Sequence, residues 1–215
     1  MGLELPDVIK ISSIIVSLLI AIIGHEIMHG VVAYRYGDRT AKSMGRLSIN
    51  PLVHIDPVGS IIVPGLLYLS GAPFLFGWAK PVPIDTSVVI RNGGYNGAIA
   101  VALAGVGYNF FLALLASLLL SFVDDSTMGG AITSIFLLQL MIYNVVLGVF
   151  NLWPIPPLDG SRALGYFGKK IGLFGIARFF ATIETYGMIF IIVLLATPLS
   201  QVFFWPARWI MGFLL

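Results

Sequence analysis

Four long stretches of this sequence are almost free of charge. They comprise residues 11–34, 92–123, 126–158 and 179–206. The second and third contain no Asp, Glu, Lys or Arg, and the fourth contains only Glu184. Because a helix needs about 20 apolar residues to cross the hydrocarbon core of a bilayer, each stretch is long enough to form a membrane span. We therefore expect an integral membrane protein that crosses the bilayer several times.

The composition supports the same conclusion. Hydrophobic residues make up 58% of the 215 positions and charged residues 10%, and the mean hydropathy is +0.98. A soluble domain carries about 25% charged residues, so a single water-soluble globule is excluded. The formal net charge of +2 is too small to indicate a nucleic-acid-binding surface. The absence of cysteine excludes disulfides, thiolate zinc sites and thiol nucleophiles.

We predict an all-α polytopic fold in one membrane-embedded domain over residues 1–215, with a three-span core and a C-terminal span. The predicted spans lie at about residues 11–35, 96–122, 131–151 and 179–197. Clusters of basic residues follow the first and third spans, whereas Asp124 and Asp125 separate the second from the third. Because basic residues favour the cytoplasmic side, the first span should run inward and the loop at Asp124 should lie outside.

Residues 57–79 are also uncharged, but prolines and glycines interrupt them. The predicted topology requires this segment to begin and end on the cytoplasmic side, and it is too short for two full crossings. We therefore predict a re-entrant or β-like hairpin, partly inserted in the membrane, over about residues 57–83. Such backbone is tolerated at membrane depth only where protein or a wet cavity covers it.

The first span carries the sequence His25-Glu26-Ile27-Met28-His29. Residues four apart lie on one helix face, so both imidazoles can reach one metal ion, and Glu26 can deprotonate a water beside it. Ionisable groups inside a membrane span are costly and usually functional. The pattern therefore predicts a buried metal site with Glu26 as the general base. The alternative is a pair of satisfied interior histidines, or a proton relay of the kind found in transporters.

A second polar segment ends the third span. It reads Asn151-Leu-Trp-Pro-Ile-Pro-Pro-Leu-Asp159-Gly160. Its prolines break the helix, and the chain can then turn so that Asp159 becomes the third protein ligand of a catalytic zinc. Asn151 could donate its amide to an oxyanion or a substrate carbonyl. Read alone, Asp159 could equally be a capping or turn residue before Gly160, and Asn151 a polar residue at the end of a span.

Together these two segments resemble the site-2 protease family, the intramembrane zinc metalloproteases. That family has H-E-x-x-H in one span and an N-x-x-P-x-P-x-x-D-G-like segment in a later one. Residues 45–59 and 77–83 look like the family's linking segments, and residues 104–109 look like its A-G-P-x-x-N element, with Val106 in place of the proline. The resemblance covers most of the chain and points to a small bacterial or archaeal subgroup that lacks PDZ and CBS domains.

The resemblance implies a three-span catalytic core and one Zn2+ ion per chain. His25, His29 and Asp159 match the family's zinc ligands. Glu26 matches its catalytic glutamate, and Asn151 its active-site asparagine. The implied activity is hydrolysis of a peptide bond in or near the transmembrane segment of a membrane protein. The implied partners are membrane-spanning protein substrates and the lipid bilayer, with no nucleic acid, and the implied location is a prokaryotic cell membrane.

Two other functions fit parts of the sequence. A membrane metallopeptidase of the prenyl-protein type also uses H-E-x-x-H, but its third ligand should be a glutamate well downstream. Glu184 is the only acidic residue left for that role in a later span. A non-proteolytic metal-binding membrane protein or a transporter would be favoured if Glu26→Gln left the cellular role of the protein intact.

Asn109 in the second span is expected to form hydrogen bonds between helices. The neighbouring small residues Ala104, Gly105 and Gly107 should allow the helices to approach closely there.

Three further predictions concern polar residues elsewhere. His54 could gate substrate or bind metal when the enzyme is idle, but it is expected to be a surface or turn histidine, since the zinc site is complete without it. Glu184 is expected to pair with Arg178 near the cytoplasmic interface. The tail, residues 205–215, should lie at headgroup level with its tryptophans and arginine.

Overall fold

The computed structural model describes residues 5–69 and 77–215. The helices, in chain order, are α1 (Leu5–Arg35), α2 (Thr40–Ser43), α3 (Val63–Leu69), α4 (Thr86–Leu120), α5 (Met128–Leu152), α6 (Asp159–Lys170), α7 (Phe174–Ala196), α8 (Leu199–Phe203) and α9 (Trp205–Leu214). A turn of 3-10 helix at Pro51–His54 and a π-helical turn at Pro57–Ile62 lie between α2 and α3. Neither described range contains a β-strand.

Helices α1, α4, α5 and α7 are long and apolar enough to cross a membrane. The predicted all-α polytopic fold is therefore confirmed. Helix α1 begins at Leu5, ahead of the charge-free stretch that starts at residue 11. A proline in the first turn of a helix costs no hydrogen bond, and the acidic Asp7 there faces the positive end of the helix dipole. The proline and Asp7 therefore extend the helix, although neither is typical of a membrane span.

Helix α4 likewise begins at Thr86 rather than near residue 96. Arg91 interrupts the uncharged pattern in this part of the chain, so hydropathy alone does not include it in a span. The helix changes direction at Gly94, whose φ of 60° and ψ of −163° are not helical. Only glycine adopts such a conformation without strain. The helix beyond Gly94 corresponds to the span predicted from the sequence.

Two aspartates join the start of α4 to the end of α1. The buried Asp38 carboxylate accepts hydrogen bonds from the amides of Thr40, at 2.9 Å, and Asp85, at 2.8 Å. The Asp85 carboxylate in turn caps α4. Hydrogen bonds from the Ser87 hydroxyl and the Val88 amide hold the pKa of the Asp85 carboxyl below its usual value. The segment that precedes α4 is therefore fixed at its end.

The predicted hairpin over residues 57–83 is not β-like in its first arm. Pro57–Leu69 is a short apolar helix, and the Asp56 carboxylate caps its first turn by accepting a hydrogen bond from the Gly59 amide at 2.6 Å. Residues 77–85 form a second arm without helix or strand, and its prolines at positions 81 and 83 favour extended backbone in the residues before them. The turn predicted between the two arms falls at residues 70–76, which lie outside the described residues.

The second arm is anchored by the loop that precedes the hairpin. The Lys80 amide donates to the His54 carbonyl at 2.9 Å, and the Lys80 carbonyl accepts from the Arg46 guanidinium at 2.7 Å. His54 is only 3% exposed, and its Nε2 donates to the Ser48 carbonyl at 2.8 Å. The predicted surface position is therefore wrong, whereas the alternative of a turn histidine is confirmed, since His54 ends the 3-10 turn Pro51–His54.

Helices α1, α4 and α5 pack together as the core of the fold. A Cβ added at Gly24 would lie 2.2 Å from the Tyr108 ring, and one added at Gly105 would lie 2.5 Å from the His25 ring. Glycine is therefore needed at both positions of the α1–α4 contact. The prediction that Gly107 also allows close approach of the helices is wrong, since Gly107 is exposed. A residue two positions from Gly105 lies on the opposite side of the helix.

Helix α7 packs on α6 and on the proline-rich segment that precedes α6. The rest of the α7 surface is largely exposed. Gly187 permits this contact, since an added Cβ would lie 1.9 Å from the Pro156 carbonyl oxygen. Glu184 on the same helix is exposed and forms no ion pair with Arg178, contrary to prediction. Residues six apart in an α-helix point to different faces, so the two side chains cannot meet.

The C-terminal tail forms helix α9. Its buried Ala207 belongs to the apolar cluster between α4 and α5, and the Ser117 hydroxyl of α4 donates to the Leu214 carbonyl. The Trp205 and Trp209 side chains point outward. One face of α9 thus packs on the bundle while its tryptophans are available to the membrane interface.

The predicted orientation in the membrane can be tested with single cysteines, since the native chain has none. Ser43, Ser87 and Ser126 are all exposed. A membrane-impermeant thiol reagent added to intact cells is expected to label a cysteine at position 126 only, because positive charge retains the chain around the other two positions in the cytoplasm. Labelling at position 43 from outside would invert the topology; permeabilised cells, in which all three should react, provide the control.

Candidate metal centre

Three potential ligand atoms meet between α1 and the beginning of α6. The Oδ2 atom of Asp159 lies 3.0 Å from Nε2 of His25 and 3.2 Å from Nε2 of His29, and the two Nε2 atoms are 3.1 Å apart. All three residues are buried. Across residues 5–69 and 77–215, this is the one group of three or more His, Cys, Asp or Glu residues close enough to hold a metal ion.

Oxygen acceptors orient both imidazoles. Nδ1 of His29 lies 2.7 Å from the Val101 carbonyl, and Nδ1 of His25 lies 2.7 Å from Oδ1 of Asn109. An oxygen of this kind can only accept, so each Nδ1 must carry the proton. In the neutral imidazole, Nε2 then holds a lone pair. Both Nε2 atoms lie next to the Asp159 carboxylate. The predicted hydrogen bond of Asn109 between helices is confirmed, since it joins α4 to His25 of α1.

The geometry of the three atoms fits a zinc ion. Zinc takes nitrogen and oxygen ligands at about 2.0–2.1 Å in tetrahedral sites, which places neighbouring ligand atoms about 3.3 Å apart. The observed separations of 3.0–3.2 Å approximate one face of such a tetrahedron. Oδ2 of Asp159 is buried and receives no hydrogen bond from the described residues. When no proton lies between them, three converging lone pairs repel one another, and a cation would remove that repulsion.

The proline-rich segment places Asp159 at this point. Helix α5 ends at Leu152, and the Pro156–Pro157 peptide bond is cis. A Cβ at Gly160 would lie 2.0 Å from the Leu152 carbonyl oxygen, so the turn requires glycine after the aspartate. Leu158, not Asp159, occupies the N-cap position of α6. Asp159 is therefore not the cap of α6, and its role as a ligand stays a prediction.

The other two predicted site residues line the same cavity as the triad. The Glu26 carboxylate accepts a hydrogen bond from the Val82 amide of the extended arm at 2.9 Å. The Asn151 amide donates to the Leu147 carbonyl of its own helix at 3.1 Å. That bond uses one of the two amide hydrogens of Asn151, so the side chain retains a second donor. The structure thus gathers all five residues around one cavity, although their roles stay predictions.

This cavity has a volume of about 520 Å³ and a largely apolar wall. Its apolar lining includes Ile22, Trp78, Val101, Phe150, Met188 and Ile191. Arg162 and Tyr166 also line it, and the sequence analysis did not identify either residue as part of the site. The signal was present in their spacing, since residues three and seven positions after Asp159 share its helix face.

Glu184 does not contribute to this centre. It lies exposed on α7 and lines a separate, smaller pocket between α6 and α7. The metal-binding group that the structure forms contains Asp159 instead. A ligand set of two histidines and a distant glutamate, as in the prenyl-protein type of metallopeptidase, is therefore not the arrangement of this fold.

Substitution of Gly105 tests the position of the His25 ring in the metal centre. We expect Gly105→Ala to weaken zinc binding by at least about tenfold, because the added methyl group must displace the His25 ring and metal sites tolerate ligand shifts of only about 0.2 Å. Gly107→Ala is the matched control, since its added methyl group meets no atom within 4 Å. Zinc competition against a fluorescent chelator measures both. Equal affinities in the two variants would contradict the assigned position of His25.

Comparisons with known proteins point to the same chemistry. The chain is 33% identical over 199 residues to the Bacillus subtilis (strain 168) protein named "Putative zinc metalloprotease YwhC", and the match covers 90% of this chain and 84% of that protein. It is 30% identical over 205 residues to the Mycolicibacterium smegmatis protein Rip2, which carries the same description, covering 93% of this chain and 73% of Rip2. Rip2 of Mycobacterium tuberculosis (strain H37Rv) is 28% identical over 201 residues, covering 92% and 72%.

No protein-family model matches the chain, and no solved structure matches it significantly. The similarity to YwhC and Rip2 nevertheless extends over nearly the whole sequence and over most of each relative. It therefore includes the part of α1 that carries the histidine pair, as well as the segment that carries Asp159. The chain belongs to the family of YwhC and Rip2, whose members are named as zinc metalloproteases.

Proposed function

We propose that this protein is an intramembrane zinc metalloprotease of the site-2 type, which hydrolyses a peptide bond in or near the transmembrane segment of a membrane-protein substrate. The observation that carries the proposal is the triangle of ligand atoms from His25, His29 and Asp159, with Glu26 beside it in the same cavity. This group lies on a helix that is long and apolar enough to cross a membrane. Membership of a family named for zinc metalloproteases supports the same reaction.

The residues around the triangle suit hydrolysis of an amide. A zinc ion held there would supply Lewis-acid chemistry, polarising a peptide carbonyl and making water more acidic. The Glu26 carboxylate takes the proton from the attacking water and passes it to the leaving amine. The Val82 amide binds one carboxylate oxygen of Glu26 and so limits the rotation of that group. The second amide hydrogen of Asn151 is available to a substrate carbonyl.

The cavity also suits an apolar, extended substrate. A peptide bond inside a helix has its carbonyl engaged in a backbone hydrogen bond, so a substrate helix must unwind before it is cleaved. The extended arm of this protein offers an edge for pairing with the unwound chain. Ala79 on that arm lines the cavity, and its amide and carbonyl form no hydrogen bond with other described residues. The apolar wall suits the side chains of a membrane segment.

The position of the site along α1 indicates how water reaches it. At 1.5 Å per residue, His25 lies about 15 Å from Arg35 and about 30 Å from Leu5. The site is thus nearer the end of α1 that basic residues flank, which is the predicted cytoplasmic side. Water and extended substrate would enter from this side, past the hairpin. The bacterial relatives support a location in a prokaryotic cell membrane.

The proposal can be tested by co-expressing the protein with single-span membrane proteins as candidate substrates. We expect zinc-dependent cleavage products whose new termini, mapped by mass spectrometry, fall in or next to the apolar segment. Zinc-dependent cleavage only in soluble loops would favour a metalloprotease that does not act within the membrane. Metal binding with no cleavage of any candidate, together with a cellular role that survives Glu26→Gln, would favour the transporter or metal-binding alternative.

A further inference from the structure

We propose that Asn109 and Asn144 are positioning residues which hold the His25 proton on Nδ1 and thereby keep Nε2 free to bind zinc. This inference rests on the proposed metal centre and extends it to residues that do not touch the metal. Asn109 belongs to α4 and Asn144 to α5, and both side chains are completely buried, with 0% of their surface exposed. Two fully buried amides between apolar helices cost free energy unless every polar atom is satisfied.

The Asn109 side chain can adopt only one orientation in this environment. Its Nδ2 atom donates to the Ala21 carbonyl at 3.2 Å and to Oδ1 of Asn144 at 2.9 Å. A backbone carbonyl has no hydrogen to donate, so the nitrogen side of the amide must face Ala21. The oxygen side must then face His25, whose Nδ1 lies 2.7 Å away. Asn109 Oδ1 is therefore an obligatory acceptor for the proton on His25 Nδ1.

Asn144 is fixed in the same way by its own helix. Its Nδ2 atom donates to the Leu140 carbonyl at 2.8 Å, which turns its oxygen toward Asn109. The hydrogen bonds therefore run in one direction, from His25 through Asn109 and Asn144 to the Leu140 carbonyl. Each bond in such a chain polarises the next. These hydrogen bonds link α1, α4 and α5. The last acceptor, the Leu140 carbonyl, has no hydrogen to donate, so the direction of the bonds cannot reverse.

The two histidines differ in how their proton is held. Nδ1 of His29 donates to the Val101 carbonyl, a backbone acceptor that side-chain substitution leaves in place. Nδ1 of His25 depends on a side chain. Without that acceptor, the neutral His25 ring could carry its proton on Nε2, which lies 3.0 Å from the Asp159 carboxylate and could donate to it. A metal ion would then have to displace this hydrogen bond before it could bind.

The test compares zinc affinity across three variants of the full-length protein in detergent. Asn109→Leu removes the acceptor in a side chain of similar size, and it is expected to weaken zinc binding by about 10–100-fold, the usual effect of losing a partner of a metal-bound histidine. Asn109→Asp keeps one carboxylate oxygen next to His25. Its other oxygen would face the Ala21 carbonyl and Oδ1 of Asn144, which are both acceptors. This variant should lower the thermal unfolding midpoint yet bind zinc more tightly than Asn109→Leu. Asn144→Leu should weaken zinc less than Asn109→Leu, because Ala21 still orients Asn109.

A structural role alone would make zinc affinity follow the unfolding midpoint of the metal-free protein across these variants. Nitrogen-15 NMR of the imidazoles provides a second readout, and with three histidines in the chain the spectrum is simple to assign. The metal-free wild type should show His25 with an unprotonated Nε2, whereas Asn109→Leu should show protonation there. Unchanged zinc affinity or an unchanged tautomer in Asn109→Leu would overturn the inference alone. A wild-type protein that binds no zinc would overturn the metal centre itself, and this inference with it.

Discussion

Substitution of Glu26 by glutamine is expected to abolish cleavage while zinc remains bound. The glutamine has the same length and can still accept the hydrogen bond that the Val82 amide donates at 2.9 Å, so the local geometry should survive. Its amide cannot take a proton from water. General base catalysis contributes about 10²–10⁴-fold, and the rate of substrate cleavage should fall by at least the lower of these factors. Rate and zinc content are measured on the same purified samples.

Glu184→Gln is the matched control for this substitution. It neutralises another acidic residue of a long apolar helix, at an exposed position outside the metal cavity, and its cleavage rate should equal that of the wild type. A Glu26→Gln variant that keeps more than about a hundredth of the wild-type rate would contradict the general-base role. A variant that loses its zinc would instead show that Glu26 stabilises the metal site.

Removal of Asp159, unlike substitution of Glu26, is expected to cost the protein its zinc. Asp159→Ala deletes the only carboxylate of the triad, and it should lower zinc affinity by more than about 100-fold, beyond the cost of losing an outer hydrogen-bond partner. Thermal unfolding of the metal-free variant should show a folded protein, so that the loss of affinity reports the missing ligand rather than a loss of the fold.

Asp125→Ala, a substitution of an exposed loop aspartate, controls for loss of one negative charge. Isothermal titration with zinc and thermal unfolding of the metal-free proteins give the two readouts. If Asp159→Ala bound one zinc ion with wild-type affinity, Asp159 would not be a ligand. The site would then depend on another carboxylate, and the arrangement of acceptors around His25 and His29 would need a different explanation.

The residues of the site were predictable because their signals are local. The spacing of His25 and His29 places them on one helix face by helix geometry alone. The prolines before Asp159 predict a break in the helix wherever the segment lies in the fold. What brings Asp159 to the histidines is the packing of distant segments, and the sequence pattern indicates that only through resemblance to a family. The charge-free stretches predict four spans in the same local way.

The remaining features depend on contacts between residues far apart in the sequence. The carbonyl of the buried His54 accepts a hydrogen bond from the distant Lys80 amide, and the Glu26 carboxylate meets the Val82 amide across 56 positions of the chain. Asn144 lies in an uncharged span and belongs to no motif, so its partnership with Asn109, 35 positions away, leaves no local pattern. Periodicity and composition describe single elements, and they do not specify which buried polar groups from two elements will face each other.

The central claim is that one zinc ion, held by His25, His29 and Asp159, supports peptide hydrolysis. It is tested most directly by adding zinc in steps to metal-free protein while bound zinc and the rate of substrate cleavage are measured together. We expect the rate to rise in proportion to bound zinc and to level off at one ion per chain, with no activity at zero zinc. Full cleavage by the metal-free protein, or a bound zinc ion that survives loss of both histidines, would contradict the claim.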